Sequence, residues 1–183
     1  MKDKWTFLTS HVEFTDRILK IRHDRYLFNE DNTEKDYTVI DTCDWVNILP
    51  VTEDGMVILI KQYRHGTGED VIEIPGGVIE GKDISPEIAA RRELLEETGY
   101  SSAEFINLGT VRPNPAIQNN KCYMYLARNA FKSGCQSLDS HEEIDLFFVP
   151  KKEIAPMICS GKINHSLVID AFCLLMLYEG KEI

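Results

Sequence analysis

Residues 76–100 read GGVIEGKDISPEIAARRELLEETGY, and they decide the fold because a glycine turn runs here into a helix with marked ends. Ser85 is a favourable N-cap residue, and Pro86 suits the first helical position. Gly99 can adopt the left-handed conformation that commonly ends a helix. The sequence therefore predicts a helix that begins at Pro86 and ends before Gly99.

The predicted helix has an apolar side that should face the protein core. Ile88 and Leu95 lie seven residues apart and share this side, with Ala90 and Leu94 beside them.

Three glutamates give the same helix an acidic side. Glu93, Glu96 and Glu97 stand at i, i+3 and i+4, so their side chains project in one direction. Like charges at this spacing destabilise a bare helix, and Arg92 can offset part of the cost by pairing with Glu96. A divalent cation could offset the rest, and oxygen ligands suit Mg²⁺ or Mn²⁺. The alternative is a solvated acidic face, which is the usual explanation of a short glutamate run.

Residues 92–100, RELLEETGY, resemble the second half of the Nudix box and match each of its fixed positions. The first half of the box departs from the pattern by one inserted residue in the loop before the helix. Its glutamate position falls on Asp83 when counted from Gly77 and on Ile84 when counted back from Arg92. We interpret Asp83 as the residue that stands in for this glutamate.

The resemblance implies a metal site with Mg²⁺ as the cofactor and Mn²⁺ as a substitute. Glu93, Glu97 and the carbonyl oxygen of Gly76 would hold metal, while Glu96 would bind a further ion or orient the other ligands. For Gly76, the alternative is a plain turn that needs no metal.

Four further segments resemble the ADP-ribose and ADP-sugar pyrophosphatase branch of the Nudix family. They are LIKQYR at 59–64, EIPGG at 73–77, HEEI at 141–144, and GKI at 161–163 followed by SLVI at 166–169. The resemblance implies hydrolysis of a nucleoside diphosphate sugar, with ADP-ribose giving AMP and ribose 5-phosphate. Two alternatives stay open: another substrate such as GDP-mannose, and a Nudix-like module that binds a nucleotide sugar without cleaving it.

Three residues are candidates for binding the substrate. Arg64 ends an apolar strand, where its guanidinium could bind a phosphate or, alternatively, form a surface ion pair. Glu73 adjoins the glycine turn and could face the metal or a ribose, or point outward from its strand. Trp45, like Tyr26, could stack on a base, although a place in the core or an interface is the commoner use of such rings.

The catalytic base is predicted in a second acidic segment. Glu142 lies in a loop far along the chain from the helix, and its carboxylate could take a proton from an attacking water. Glu143 is the fallback for this role, and Glu96 completes the predicted catalytic set. A solvated acidic loop is the alternative for both loop glutamates. His165 is interpreted as a capping or surface histidine.

Bulk composition narrows the class of protein. A chain of 183 residues fits one globular domain with a sizeable core. Its formal net charge of −10 argues against nucleic acid or an acidic membrane as partner. Five scattered cysteines without a CxxC pair, together with an N-terminus lacking a signal-peptide core, predict a cytoplasmic protein with reduced thiols.

The order of predicted elements indicates an α+β fold, a Nudix-type α/β/α sandwich with a mixed sheet. Residues 1–40 are predicted to form an N-terminal β arm, with strands at 17–28 and 37–40, and residues 41–183 the hydrolase domain. Further strands are predicted at 45–51, 56–60, 71–74, 102–111, 121–127 and 144–149, and helices at 151–160 and 166–179. Because two strands alone are marginal in water, the arm should pack on the main domain or on another subunit. The isolated arm and the family resemblance suggest a homodimer in which Arg25 or Tyr26 reaches the partner's base pocket.

Overall fold

The computed structural model describes residues 4–180 and divides into two compact units. The smaller unit comprises the residues up to Asp44 together with Arg112–Lys121, and the larger unit comprises Trp45–Val111 and the residues from Cys122 onward. The predicted arm ended at residue 40 and did not include the segment 112–121. Residues 1–3 and 181–183, which belong to the predicted segments, lie outside the described residues.

The smaller unit is built on a three-stranded antiparallel sheet. Its strands are β1 (Trp5–Thr15), β2 (Leu19–Phe28) and β3 (Thr33–Thr42), and β2 lies in the middle. The prediction of only two strands was wrong, because β1 is exposed along its whole length and does not show the alternation that marks a half-buried strand. Ile40 of β3 donates its N–H to the carbonyl of Ile117 at 2.7 Å, which ties the segment 112–121 to this sheet.

Within the described residues, the larger unit contains an eight-stranded mixed sheet and three α-helices. Its strands are β4 (Trp45–Thr52), β5 (Met56–Arg64), β6 (Glu69–Glu73), β7 (Gly76–Val78), β8 (Tyr100–Ser101), β9 (Glu104–Val111), β10 (Cys122–Lys132) and β11 (Ile144–Pro150). Its helices are α1 (Pro86–Thr98), α2 (Ile154–Cys159) and α3 (Ser166–Tyr178), and a 3-10 helix at Lys151–Glu153 precedes α2. The main strand order is β11-β5-β4-β10-β8, and β4 runs parallel to β10.

The central strands β4 and β10 are buried on both faces of the sheet. Along β10, Met124 and Leu126 face a cluster formed with α2 and α3, whereas Tyr125 and Ala127 face a second cluster formed with α1. Helices therefore cover both faces, which confirms the predicted α/β/α sandwich with a mixed sheet. No helix within residues 4–180 is long and apolar enough to cross a membrane.

The candidate site lies where β4 and β5 separate from each other. These two strands pair only at Val51 and Val57, beside the Asp-Gly turn, and then diverge. The chain from β6 to β7 fills the opening, because β6 pairs with β5 and β7 pairs with β4. The glycine segment predicted as a turn is thus a short strand, held beside β4 where α1 passes.

Candidate active site

Helix α1 begins and ends where the sequence predicts. The hydroxyl of Ser85 accepts the N–H of Ile88 at 3.3 Å, Pro86 opens the helix, and Gly99 follows it with φ of 68°. The predicted apolar face, however, was wrong in part. Ile88 and Leu95 are 41% and 42% exposed, while the buried face consists of Ala89, Ala90, Leu94, Glu97 and Thr98. The small alanines allow α1 to pack closely on β4 and β10.

Glu97 is a carboxylate buried at the base of the site. Its Oε2 accepts the N–H of Gly76 at 2.9 Å, which joins α1 to β7. Burial raises the pKa of Glu97 well above its ordinary value, and the charges of Glu93 and Glu142 raise it further. Burial likewise raises the pKa of Glu93, whose side chain is 13% exposed. Two nearly buried carboxylates close together favour a cation between them or beside them.

Two glycines are required because α1 and β4 approach the β7 backbone closely. A Cβ atom on Gly77 would lie 2.5 Å from Oε1 of Glu93, and one on Gly76 would lie 2.4 Å from the carbonyl oxygen of Val46. Neither glycine has a positive φ. A side chain at Gly76 would therefore collide with the backbone of β4, and one at Gly77 would displace the carboxylate of Glu93.

Arg92 joins the loop before α1 to the acidic side of the helix. Its Nη2 and Nε donate to the two oxygens of Asp83 at 2.9 and 3.2 Å, and Nη1 donates to Glu93 at 2.8 Å and Glu96 at 2.9 Å. The predicted Arg92–Glu96 pair is thus confirmed. The Asp83 side chain is only 2% exposed, whereas Ile84 is 90% exposed. Asp83, not Ile84, therefore makes the carboxylate contact of the loop, and Arg92 lowers its pKa.

Arg64 and Glu73, two of the predicted substrate-binding residues, bind each other. The Nε and Nη2 atoms of Arg64 donate to the two carboxylate oxygens of Glu73 at 2.6 and 2.7 Å. The Glu73 side chain is 7% exposed, so it does not point outward from its strand. Both of its carboxylate oxygens are bound by Arg64. Glu73 raises the pKa of Arg64, and the charges of Glu97 and Glu142 add to the effect. Arg64 thus lies in the field of the acidic residues, with Nη1 outside the pair.

The loop glutamates differ in their relation to α1. Glu142 is half-buried, and its charge acts on Glu93, Glu97 and Arg64. Its own N–H donates to the carbonyl of Asp139 at 3.0 Å, and its Oε2 accepts the N–H of Asp139 at 3.3 Å. Glu143 is exposed. The structure therefore brings Glu142 into electrostatic range of the helix carboxylates.

Three further candidate residues have places set by packing. Trp45 lies on β4 and packs against the core cluster formed with α2 and α3. In the smaller unit, the ring of Tyr26 contacts Phe7 and Tyr37. His165 occupies the N-cap position of α3, which fits the capping interpretation, although its side chain makes no capping hydrogen bond.

Gln136 is a residue of this region that the sequence does not predict. Its Nε2 donates to the carbonyl of Glu97 at 2.8 Å and to the carbonyl of Ile144 at 3.1 Å. It therefore contacts both the helix and the strand that follows the Glu142 loop. A single glutamine in a polar loop carries no motif or periodicity, so the sequence held no signal for it.

The donor set of the site fits a hard cation by its chemistry. The carboxylate oxygens of Glu93, Glu96 and Glu97 are the ligand type that Mg²⁺ and Mn²⁺ prefer, and the backbone N–H of Gly76 contacts Glu97. Within residues 4–180, no three His, Cys, Asp or Glu side chains already converge as an ion site. Arg92 holds Glu93 and Glu96, and Gly76 holds Glu97, so ion binding requires these carboxylates to turn toward a common point.

Comparison with known proteins identifies the family. Residues 43–168 match the NUDIX domain family, and this match spans more than half of the chain. The chain therefore belongs to the Nudix family, as residues 92–100 predicted.

Individual relatives indicate the branch of the Nudix family to which the chain is similar. The chain is 28% identical over 136 residues to the ADP-ribose pyrophosphatase of Bacillus subtilis (strain 168), covering 74% of this chain and 73% of the relative. It is 27% identical over 168 residues to the methanol dehydrogenase activator of Bacillus methanolicus, covering 91% and 90%. A solved structure described as ADP compounds hydrolase superposes with a TM-score of 0.85 at 21% identity, covering 96% and 94% of the two chains, which supports the fold. The predicted ADP-ribose and ADP-sugar pyrophosphatase branch is confirmed, and the chain is a Nudix pyrophosphatase.

Proposed function

We propose that this chain hydrolyses the pyrophosphate bond of a nucleoside diphosphate sugar with Mg²⁺ as cofactor, and that ADP-ribose is its preferred substrate. The observation that carries the proposal is the buried carboxylate of Glu97 beside Gly76 and Glu93, with Arg64 and Glu142 in electrostatic range. Such an acidic centre needs cations to accept an anionic diphosphate. The relative from Bacillus subtilis, named an ADP-ribose pyrophosphatase, supports the choice of substrate.

The metal ligands in this proposal are Glu93, Glu97 and the carbonyl of Gly76, while Glu96 holds a further ion or orients the others. When bound, divalent ions neutralise charge on the phosphoryl oxygens and lower the pKa of bound water. Arg92 keeps Glu93 and Glu96 directed to one side of α1. Mn²⁺ is expected to replace Mg²⁺, because both ions prefer oxygen ligands.

Glu142 acts as the general base. Its carboxylate accepts a proton from the attacking water, whose oxygen forms a bond to one phosphorus as the bond from that phosphorus to the bridging oxygen breaks. With ADP-ribose the products are AMP and ribose 5-phosphate. Glu143 is the fallback for this role, although it is exposed.

Arg64 binds the diphosphate, and Glu73 acts through it. The pair with Glu73 uses Nε and Nη2 of Arg64, which leaves Nη1 for a phosphate oxygen. Trp45 is proposed to contact the base with the part of its ring that is not packed against the core.

The proposal includes a homodimer and a cytoplasmic location. Strand β1 is an exposed edge, and its side chains include Trp5, Phe7 and Phe14, which are 45%, 52% and 52% exposed. A second copy covering this strand would remove apolar surface from water. The dimer would place Arg25 or Tyr26 at the partner's base pocket, although Arg25 is paired with Asp36 at 2.7 and 2.8 Å within its own sheet. Sedimentation at micromolar concentration tests the dimer, and a monomer would contradict it.

A substrate panel tests the proposed reaction. ADP-ribose, other ADP-sugars, GDP-mannose and dinucleotides are each incubated with Mg²⁺ or Mn²⁺, and products are separated by chromatography. We expect the highest kcat/KM for ADP-ribose, with AMP as a product. A higher kcat/KM for GDP-mannose would show that GDP-mannose, and not ADP-ribose, is the preferred substrate. If calorimetry shows tight binding of ADP-ribose but no product forms, the chain is better described as a module that binds a nucleotide sugar without cleaving it.

A further inference from the structure

The chain segment before the Glu142 loop satisfies the carbonyl groups that α1 leaves open at its C-terminal end. The N–H groups of Ser133 and Gly134 both donate to the carbonyl of Gly99 at 3.0 Å. The N–H of Ser137 donates to the carbonyl of Glu96 at 2.8 Å, and Nζ of Lys132 donates to that of Thr98 at 3.0 Å. We call residues 132–137 the C-terminal clamp. It fixes the start of the Glu142 loop to the helix that carries the acidic cluster.

Gln136 extends the C-terminal clamp to the far end of the loop. Its side-chain amide has two N–H donors, and Nε2 reaches the carbonyls of Glu97 at 2.8 Å and Ile144 at 3.1 Å. Ile144 is buried and begins β11, two residues after Glu142. One amide group thus closes the seven-residue loop 137–143 at its base, on the backbone of Glu97 itself.

We propose that Gln136 is a positioning residue for pyrophosphate hydrolysis, which fixes the Glu142 loop to the backbone of Glu97. This inference rests on the proposed function, in which Glu142 is the base and Glu97 holds metal. The base and the metal ligands come from segments more than forty residues apart in sequence. Their relative position must be held closely, because a displacement of about 1 Å can lower a rate on the order of 10²-fold.

A purely structural role is the competing explanation. Pairing of β11 with β5 from Ile144 onward already fixes the strand after the loop. In that case the loss of Gln136 would lower stability without a specific effect on the base. The test must therefore separate the geometry of the loop from the stability of the fold.

The first experiment replaces the amide and keeps its shape. Gln136→Glu puts an acceptor oxygen against two carbonyl groups, and Gln136→Met removes the donors without adding charge. Asn164→Asp is the matched control, since Asn164 is exposed and the change adds the same charge elsewhere. We expect kcat to fall on the order of 10²-fold in both Gln136 variants with KM nearly unchanged, and the control to keep its kcat. Wild-type kcat in Gln136→Met would overturn the proposal.

The second experiment is a double-mutant cycle with Glu142→Gln. If Gln136 acts through the base, Gln136→Met should cost little further activity once Glu142 is already neutral. Equal fold-losses of Gln136→Met in the wild-type and Glu142→Gln backgrounds would show a structural role and overturn the proposal.

Amide hydrogen exchange supplies a readout that does not depend on the reaction. We expect faster exchange over residues 138–143 in Gln136→Met than in wild type or Asn164→Asp, with exchange across β10 unchanged. Unchanged exchange in the loop would contradict the positioning role. If Glu142→Gln keeps full activity, the assignment of the base fails, and the exchange rates still decide whether Gln136 holds the loop.

Discussion

The two ends of helix α1 are fixed by different kinds of interaction. The loop before the helix is held by charges, because Arg92 links Asp83 to Glu93 and Glu96. The C-terminal end is held by neutral hydrogen bonds to backbone carbonyls, apart from the one that Lys132 makes. The first arrangement depends on pH, whereas the neutral hydrogen bonds of the second do not. If the carboxylates turn toward a metal as proposed, the C-terminal end of the helix can thus stay in place.

Glu97 joins the C-terminal end of α1 to β7, and its substitution should have the largest effect. Its side chain accepts the N–H of Gly76, and its carbonyl accepts the amide of Gln136. Glu97→Gln keeps an acceptor oxygen for Gly76 but removes the charge that is proposed to hold metal. We expect kcat for AMP release from ADP-ribose with Mg²⁺ to fall on the order of 10³-fold or more.

The fold should survive this substitution. Because burial raises the pKa of Glu97, the charged carboxylate destabilises the metal-free fold at neutral pH, and an amide removes that cost. We expect the metal-free Tm to stay equal or rise, and the stabilisation by added Mg²⁺ to be lost. Near-normal turnover in the variant would contradict the metal site.

Asp83→Asn tests the charged end of the helix by itself. The variant keeps the shape of the side chain and weakens its pair with Arg92, which is 15% exposed. We expect a loss of about 1–3 kcal/mol in the free energy of unfolding, because Arg92 keeps its bonds to Glu93 and Glu96. Denaturant unfolding of wild type and Asp83→Asn measures this difference in the free energy of unfolding. The control is Ile84→Ala at the neighbouring exposed position, and an equal loss there would show that the charge of Asp83 is unimportant.

The pH dependence of stability should separate the two ends further. Arg92 lowers the folded pKa of Asp83, so the pair contributes its full stability above the unfolded pKa of about 4. This contribution is lost as pH falls through the lowered folded pKa. We expect the stability difference between wild type and Asp83→Asn to shrink as pH falls below about 4, measured by denaturant unfolding. A difference that stays constant from pH 7 to pH 3 would exclude a titrating pair.

The same contrast explains how much could be predicted from the sequence. The helix bounds follow from the capping residues Ser85, Pro86 and Gly99, whose effects are local. The Arg92–Glu96 pair follows from i,i+4 spacing. The sandwich follows from the order of elements, since central strands such as β10 alternate between two buried clusters.

What could not be predicted depends on contacts between distant segments. The pair of Arg64 with Glu73 arises because β6 lies against β5 in the gap left by β4. The exposure of Ile88 and Leu95 follows from α1 packing through its alanines, which hydrophobic spacing cannot show. Gln136 binds two carbonyls whose positions depend on the whole sheet.

The smallest effects should come from the residues that cap α1 at its two ends. Ser85→Ala removes the acceptor for the N–H of Ile88, and we expect a loss of about 1 kcal/mol in the free energy of unfolding.

Lys132→Met removes the donor to Thr98 and the cation above the ring of Tyr100, 5.1 Å from its centroid. For Lys132→Met we expect a loss of about 0.5 kcal/mol in the free energy of unfolding, since backbone N–H groups still donate to the carbonyls of Glu96 and Gly99. Added salt should reduce the Lys132 effect more than the Ser85 effect, because only Lys132 carries a charge. A larger loss at Lys132 than at Ser85, measured by denaturant unfolding at two salt concentrations, would show that the C-terminal end also depends on charge.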